Sequence, residues 1–339
     1  MNNLHQRFHN FAEKECVPAS PLYARLARGV AEDEALLELA AHTQSGQPAP
    51  NMLFAAVQFL LLRQPTSALA QFYPTIATHP HSLTHADPFP LWREFCLSHR
   101  AEIETLLQTR LVQTNEVRRC ALLLPAFAQL PQPLALIEVG ASAGLNLLWD
   151  QYRYQYSDGR SWGQADSGVT LTCEWRGPVR PPLPPEPVQV AARLGLDLNP
   201  LDINNAEDVA WLRALIWPEL VERARLLENA LQVAQAARPT VWCGDAVPLL
   251  PQAFAQAPAE ATLCVWHSFT LNQFAPEARA AFTAQLAAAA AQRPLYKIGL
   301  EWGTDCALLS LSMFTAGEEH TTLLAHCDPH GAWLEWLVE

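Results

Sequence analysis

The sequence is short of charge. Only 17% of its 339 residues are Asp, Glu, Lys or Arg, below the usual quarter or so of a globular chain. With half of the residues hydrophobic, wholesale disorder is excluded and a large core is possible. Basic charge is scarcest: 22 Lys+Arg face 34 Asp+Glu, a net charge of −12. That balance argues against a nucleic-acid binder, which normally shows a basic face.

Long apolar runs are missing as well. The most apolar stretch, residues 51–62 (NMLFAAVQFLLL), falls short of the ~20 residues that a membrane span needs. The N-terminal MNNLHQRFHNFAEKEC lacks the apolar core of a signal peptide. None of the 8 cysteines makes a CxxC pair, so they read as reduced thiols of a cytoplasmic protein. Zinc-type spacing is also absent. His79, His81 and His85 lie in a Pro-punctuated loop, and His326, Cys327 and His330 form a loose group, so no metal site is expected.

What is present falls into two regions, a helical one over residues 1–130 and an α/β one over 131–339. Helical patterns run over 21–42, 51–63, 91–107 and 116–130, and no strand is expected before Pro133. LALIEVG (134–140) then reads as a buried parallel strand. A helix is expected over 141–156, where Arg153 and Tyr152, Tyr154 and Tyr156 serve packing. A polar insertion covers 157–187, including the strand-like VTLTCEW (169–175) and a stiff Pro-rich connector (178–187). Strands are expected at 188–198, 240–246, 261–269 and 295–302, with helices between them and a break at Pro218. Residues 307–338 alternate like antiparallel strands, with turns at Ala316-Gly317 and at 328–331. The order implies a mostly parallel, doubly wound sheet with a C-terminal antiparallel hairpin.

The sharpest local feature is Glu138-Val-Gly140-Ala-Ser142-Ala-Gly144, at a strand-to-helix turn. Small residues let the backbone approach a ligand, and a helix N-terminus offers free N–H groups. The segment resembles the loop of class I S-adenosylmethionine (SAM) methyltransferases, with Ser142 in place of the middle Gly. The match expects a negative φ at Ser142. Asp197 in Gly195-Leu-Asp197-Leu-Asn199-Pro200 ends the next strand. In that resemblance it binds the ribose, which suits a carboxylate accepting two hydrogen bonds from a diol. Asp245 and Ala246 end the third strand, where the resemblance places the adenine; an N-cap is the plain alternative for Asp245. Asp197 lies unusually far from the loop, so the insertion is expected to lie over the site, and Glu174 is a rival for the ribose.

Two more strand ends carry chemistry. His267 suits a general base because its ordinary pKa lies near neutrality. Glu301 would orient the acceptor or His267. The same glycine segment also fits G-x-S-x-G, the elbow of α/β-hydrolases. Ser142 would then attack, with Asp245 or Asp305 and His267 or His326 as partners. Against this, Ser142 follows the first strand of the sheet, and Glu138 has no role in that chemistry.

The phrases IEVGASAGLNLLWDQYRY, CEWRG, RLGLDLNPLD, WLRALIWPEL, ERARLLENAL and CGDA together resemble an uncharacterised bacterial family, domain-of-unknown-function family 2332. The resemblance spans nearly the whole chain. It implies a Rossmann-like, methyltransferase-type sheet behind a helical N-terminal domain. The expected function is a SAM-dependent methyltransferase acting on a small molecule or a protein. Glu138, Gly140, Ser142 and Gly144 would cradle the methionine end, with His267 and Glu301 facing the acceptor. A non-catalytic nucleotide-binding or regulatory protein and a serine hydrolase are the alternatives. No nucleic-acid or membrane partner is expected.

Overall fold

A computed structural model describes residues 2–17, 19–184, 187–315 and 318–338. The chain divides into two compact units, Met1–Thr114 with Asn204–Leu227, and Asn115–Ile203 with Glu228–Glu339. The division therefore falls at Thr114–Asn115, and residues 204–227 return to the helical unit. Residues 115–130 join the sheet unit because α7 (Cys120–Phe127) packs on its strands.

The first unit is built from α1 (Asn2–Asn10), α2 (Pro21–Ala31), α3 (Glu34–Ala40), α4 (Ala49–Leu62), α5 (Phe89–Ser98), α6 (Arg100–Thr109) and α8 (Ala206–Ala214). The helix expected over 21–42 is broken in two, because Asp33 accepts from Leu36 N–H and starts a new helix. Likewise 91–107 splits at His99. Helix α4 is apolar on every side and is buried accordingly. Phe54 on α4 stacks on Tyr23 with ring centres 4.5 Å apart and on Phe11 at 5.7 Å. Trp217 packs edge-on to Phe11. Its neighbour Glu219 accepts from Ser20 Oγ and from Leu22 N–H, and so caps α2. This gives the WPEL segment a structural role that the sequence pattern did not supply. Helix α9 (Val221–Ala237) follows.

The second unit is an α/β structure with an 11-stranded, mostly parallel mixed sheet. Its strands are β1 (Leu134–Val139), β2 (Arg153–Tyr156), β3 (Ser161–Gly163), β4 (Thr170–Arg176), β5 (Val190–Asp197), β6 (Val241–Cys243), β7 (Thr262–Ser268), β8 (Leu295–Trp302), β9 (Ala307–Thr315), β10 (Glu318–Cys327) and β11 (Trp333–Trp336). They lie in the order β3-β2-β4-β11-β10-β9-β8-β7-β1-β5-β6. Helices α10 (Ala246–Gln256) and α11 (Pro276–Ala290) cover one face, burying Ile137, Val139, Leu196, Val265, Leu250, Phe282 and Leu286 together. Strand β8 is parallel to β7, whereas β9 runs antiparallel to β8 and β10, and β10 antiparallel to β11, as the alternation over 307–338 implied. The turn expected at Ala316-Gly317 lies outside the described residues.

One expectation fails here. No α-helix follows the glycine loop. Leu145–Gln151 is a short 3-10 helix, and the chain then enters β2. Tyr152, Tyr154 and Tyr156 are all buried, while Arg153 and Gln155 are not. That period of two is a strand signal with aromatic residues suited to a sheet. The three hydroxyls donate to the carbonyls of Leu145, Trp149 and Ala121. The inserted segment forms β3 and β4, and its Trp162 stacks on Trp149 of the 3-10 helix that follows the glycine loop. Its strand β4 pairs with β11, extending the sheet at the opposite edge.

Among the described residues no helix is long and apolar enough to cross a membrane. All the cysteines are free thiols.

Candidate functional site

The sheet order places the candidate residues. From β1 the chain adds β5 and β6 on one side, then returns to add β7 and β8 on the other. The direction therefore switches between β1 and β7. In open α/β sheets, ligands sit outside the carboxyl ends of the strands at such a point. Glu138, Asp197, His267 and Glu301 lie in the carboxyl-terminal parts of β1, β5, β7 and β8, and Asp245 just beyond β6.

The loop after β1 is tightly built. Gly140 has φ +78°, and a Cβ there would stand 2.2 Å from Thr270 Oγ1. Gly195 on β5 allows a second close approach, since its Cβ would meet that of Ala141 at 2.6 Å. Ser142 has φ +53°, not the negative value the resemblance required. For a residue with a Cβ, this left-handed conformation costs roughly 1–2 kcal/mol. The local structure opposes that cost with hydrogen bonds. Ser142 N–H donates to Asp197 Oδ2 at 2.7 Å, and its carbonyl accepts from Leu201 N–H. Asp197 Oδ1 accepts from Asn199 N–H at 2.8 Å. Asn115 straps the other side of the loop, donating to Ala141 O and accepting from Leu145 N–H, each at 3.1 Å. Gly144, with φ +73°, leads into the 3-10 helix.

Beside this loop the structure leaves polar groups buried. Glu138 is 1% exposed. Burial pushes its carboxyl well above the usual carboxylate range, the charge of Asp197 adds to this, and Arg119 pulls the other way. Glu138 Oε2 and Ser142 Oγ are both buried with no hydrogen-bond partner in the protein. Such groups cost about 1–3 kcal/mol each when left unsatisfied.

Asp245 is exposed and accepts from Val247 N–H at 2.9 Å as the N-cap of α10, and Ala246 begins that helix. The capping role is thus observed, and a carboxylate retains further acceptor capacity.

His267 and Glu301 form a direct pair, Nδ1 to Oε1 at 2.7 Å. Glu301 also accepts from the N–H groups of Thr270, Leu271 and Asn272. Burial opposes ionisation of Glu301, but the His267 contact and the backbone N–H groups of Leu271 and Thr270 outweigh it and hold the carboxyl below its usual range. The pair therefore fixes the loop whose Thr270 covers Gly140. In register, Glu138 sits beside Trp266 and Val139 beside His267, so Glu138 and His267 point to opposite faces of the sheet. The His267 ring packs edge-on to Phe282 of α11, and its Nε2 is buried without a partner.

Other combinations are not assembled. Ser142 Oγ and His267 Nε2 each lack a hydrogen-bond partner, so Ser142 and His267 form no dyad. The carboxylate on His267 is Glu301, not Asp245 or Asp305. His326 instead lies 3.7 Å from Glu335. Glu174 pairs with Arg176 on β4, and five strands separate β4 from β1, so Glu174 does not share the sheet tip of Asp197. The residues that sequence reasoning missed are Asn115, Thr270 and Arg119, the last with its guanidinium 4.3 Å from the centre of the Phe269 ring. Phe269 itself has φ +54°. None of the three lies within a recognisable pattern.

Residues 5–336 match the model of the family DUF2332, described as an uncharacterized protein conserved in bacteria. The chain belongs to this family. Neither a curated protein nor a solved structure matches it. The site of this DUF2332 protein is therefore read from its own geometry.

Proposed function

We propose that this DUF2332 protein is a SAM-dependent methyltransferase whose cofactor lies across the tips of β1, β5 and β6. One observation carries the reading: two buried polar atoms, Glu138 Oε2 and Ser142 Oγ, stand unpartnered at the switch point of the sheet. A ligand with an ammonium group and hydroxyls would satisfy both. The donor set fits such a ligand. A cation beside Glu138 would favour its ionised form against burial. Asp197 accepts the backbone N–H groups of Ser142 and Asn199, and its carboxylate at the tip of β5 is of the type that accepts from ribose hydroxyls. Asp245, exposed at the tip of β6, offers a carboxylate towards an adenine amino group. The bound cofactor would supply an electrophilic methyl group.

The chain's contribution is orientation, since methyl transfer needs little beyond in-line placement of acceptor and methyl. With its Nε2 enclosed, His267 serves with Glu301 to position the Thr270 loop beside the acceptor. A non-catalytic nucleotide binder of the same fold would share the cofactor contacts and lack turnover. The acceptor is a small molecule or a protein side chain.

Calorimetric titration with SAM and S-adenosylhomocysteine tests the reading. Saturable binding that weakens at least ~10-fold, about 1.4 kcal/mol, in Asp197→Ala and Asp245→Ala supports it. Absence of binding at millimolar ligand overturns it. Labelling of Ser142 by a fluorophosphonate would favour the hydrolase instead.

A further inference from the structure

We infer that His5, His9 and Glu32 form a binding site for a divalent transition-metal ion of the zinc type. His5 and His9 are four residues apart on α1, so their rings share one face of the helix. Their ring centres are 5.4 Å apart. Glu32 stands at the C-terminal cap of α2, where its backbone N–H donates to the carbonyls of Gly29 and Val30. Its Oε1 lies 3.8 Å from His5 Nδ1 and 4.0 Å from His9 Nε2. One potential ligand atom from each of the three residues lies within 4.8 Å of the other two. Around zinc, with bonds of about 2.0–2.2 Å, tetrahedral ligands stand about 3.4 Å apart. His5 and His9 are partly exposed and Glu32 is exposed, so rotamer adjustments can close that gap.

The donors select the ion. Two imidazoles and a carboxylate suit zinc, cobalt or nickel, whereas magnesium and calcium prefer oxygen alone. His5 Nδ1, the ring atom that faces Glu32, is also 2.9 Å from the carbonyl oxygen of Ala31. Ligation through Nδ1 exchanges that contact for the ion. Arg28 on α2 is engaged by Glu13 at 2.7 Å. Three protein ligands leave a position open for water or an external ligand. The ion would bridge α1 and the end of α2, tethering the first helix of the chain. No sequence motif marks this cluster, because Glu32 lies far from the histidines along the chain. The site is independent of the nucleotide reading.

The test uses the full chain without an affinity tag, stripped by chelator and titrated calorimetrically with zinc chloride. One zinc per chain is expected at micromolar affinity or tighter. His9→Ala and Glu32→Ala should each weaken binding about 10-fold or more, the scale of loss seen even for outer-shell partners. His42→Gln should leave it unchanged, since His42 faces Glu104 at 3.5 Å. Cobalt bound to the parent should give a visible absorption band that zinc abolishes. No saturable zinc binding, or binding unaffected by His9→Ala and Glu32→Ala, overturns the proposal.

Discussion

The Asp197 carboxylate accepts the Ser142 backbone N–H at 2.7 Å, joining residues 55 apart in the sequence. It ties the tip of the second strand of the parallel set to the loop after the first. The acid and the loop are therefore one structural unit, and changing either disturbs both.

Asp197→Ala should cost about 1–3 kcal/mol of stability, because it strands the N–H groups of Ser142 and Asn199. Asp197→Asn should cost less, since its single amide oxygen still accepts one of them. Urea unfolding of the parent and both variants checks the ranking. Equal stability of all three would refute the clasp.

Glu138 has a folded-state pKa above its ordinary value of 4.5. Its contribution to stability is full below that value and is lost as pH rises towards the folded value. Glu138→Gln fixes the uncharged form. The variant should gain on the parent from about pH 4.5 upward, the gap widening as pH rises. It should also weaken SAM binding. Parallel stability curves against pH would contradict the burial argument.

Glu301 has the opposite sign. Its folded-state pKa lies below 4.5, so its contribution is present above that value and is lost as pH falls through the folded value. Glu301→Gln should lose about 1–3 kcal/mol at neutral pH, with the gap narrowing below pH 4.5. Hydrogen exchange should show faster opening of the N–H groups of Thr270 and Leu271.

Gly140→Ala places a Cβ 2.2 Å from Thr270 Oγ1 and 2.7 Å from its Cγ2, at φ +78°. A loss of about 2–4 kcal/mol is expected from strain and overlap together. Thr270→Ala removes both clashing atoms and should recover part of that loss. A double-mutant cycle with a coupling below ~0.5 kcal/mol would show that the two residues are independent.

The sheet was legible in the sequence because buried parallel strands are short apolar runs with polar tips. Leu134–Val139, Thr262–Ser268 and Leu295–Trp302 all follow that form. The first crossover was misread because Leu145–Gln151 is apolar enough for a helix, and the Tyr152–Tyr156 alternation was absorbed into it. The candidate tips Glu138, Asp197, Asp245, His267 and Glu301 were legible for the same reason as the strands. Their partners were not. Ser142 takes a positive φ because Asp197 and Leu201 engage its backbone, which only tertiary contact determines. Asn115 and Thr270 act through loop geometry, for which no residue spacing gives a signal. The Glu301 pairing with His267 was anticipated as one possibility, but not the three backbone N–H groups that make the pair a loop clamp.

The most direct test of the central claim is a crystal structure of the protein grown with millimolar S-adenosylhomocysteine. The account predicts adenosine lying across the tips of β5 and β6, with ribose hydroxyls on the Asp197 carboxylate and the amino-acid end beside Glu138. An empty β1–β5–β6 edge, or the nucleoside bound elsewhere, would contradict it.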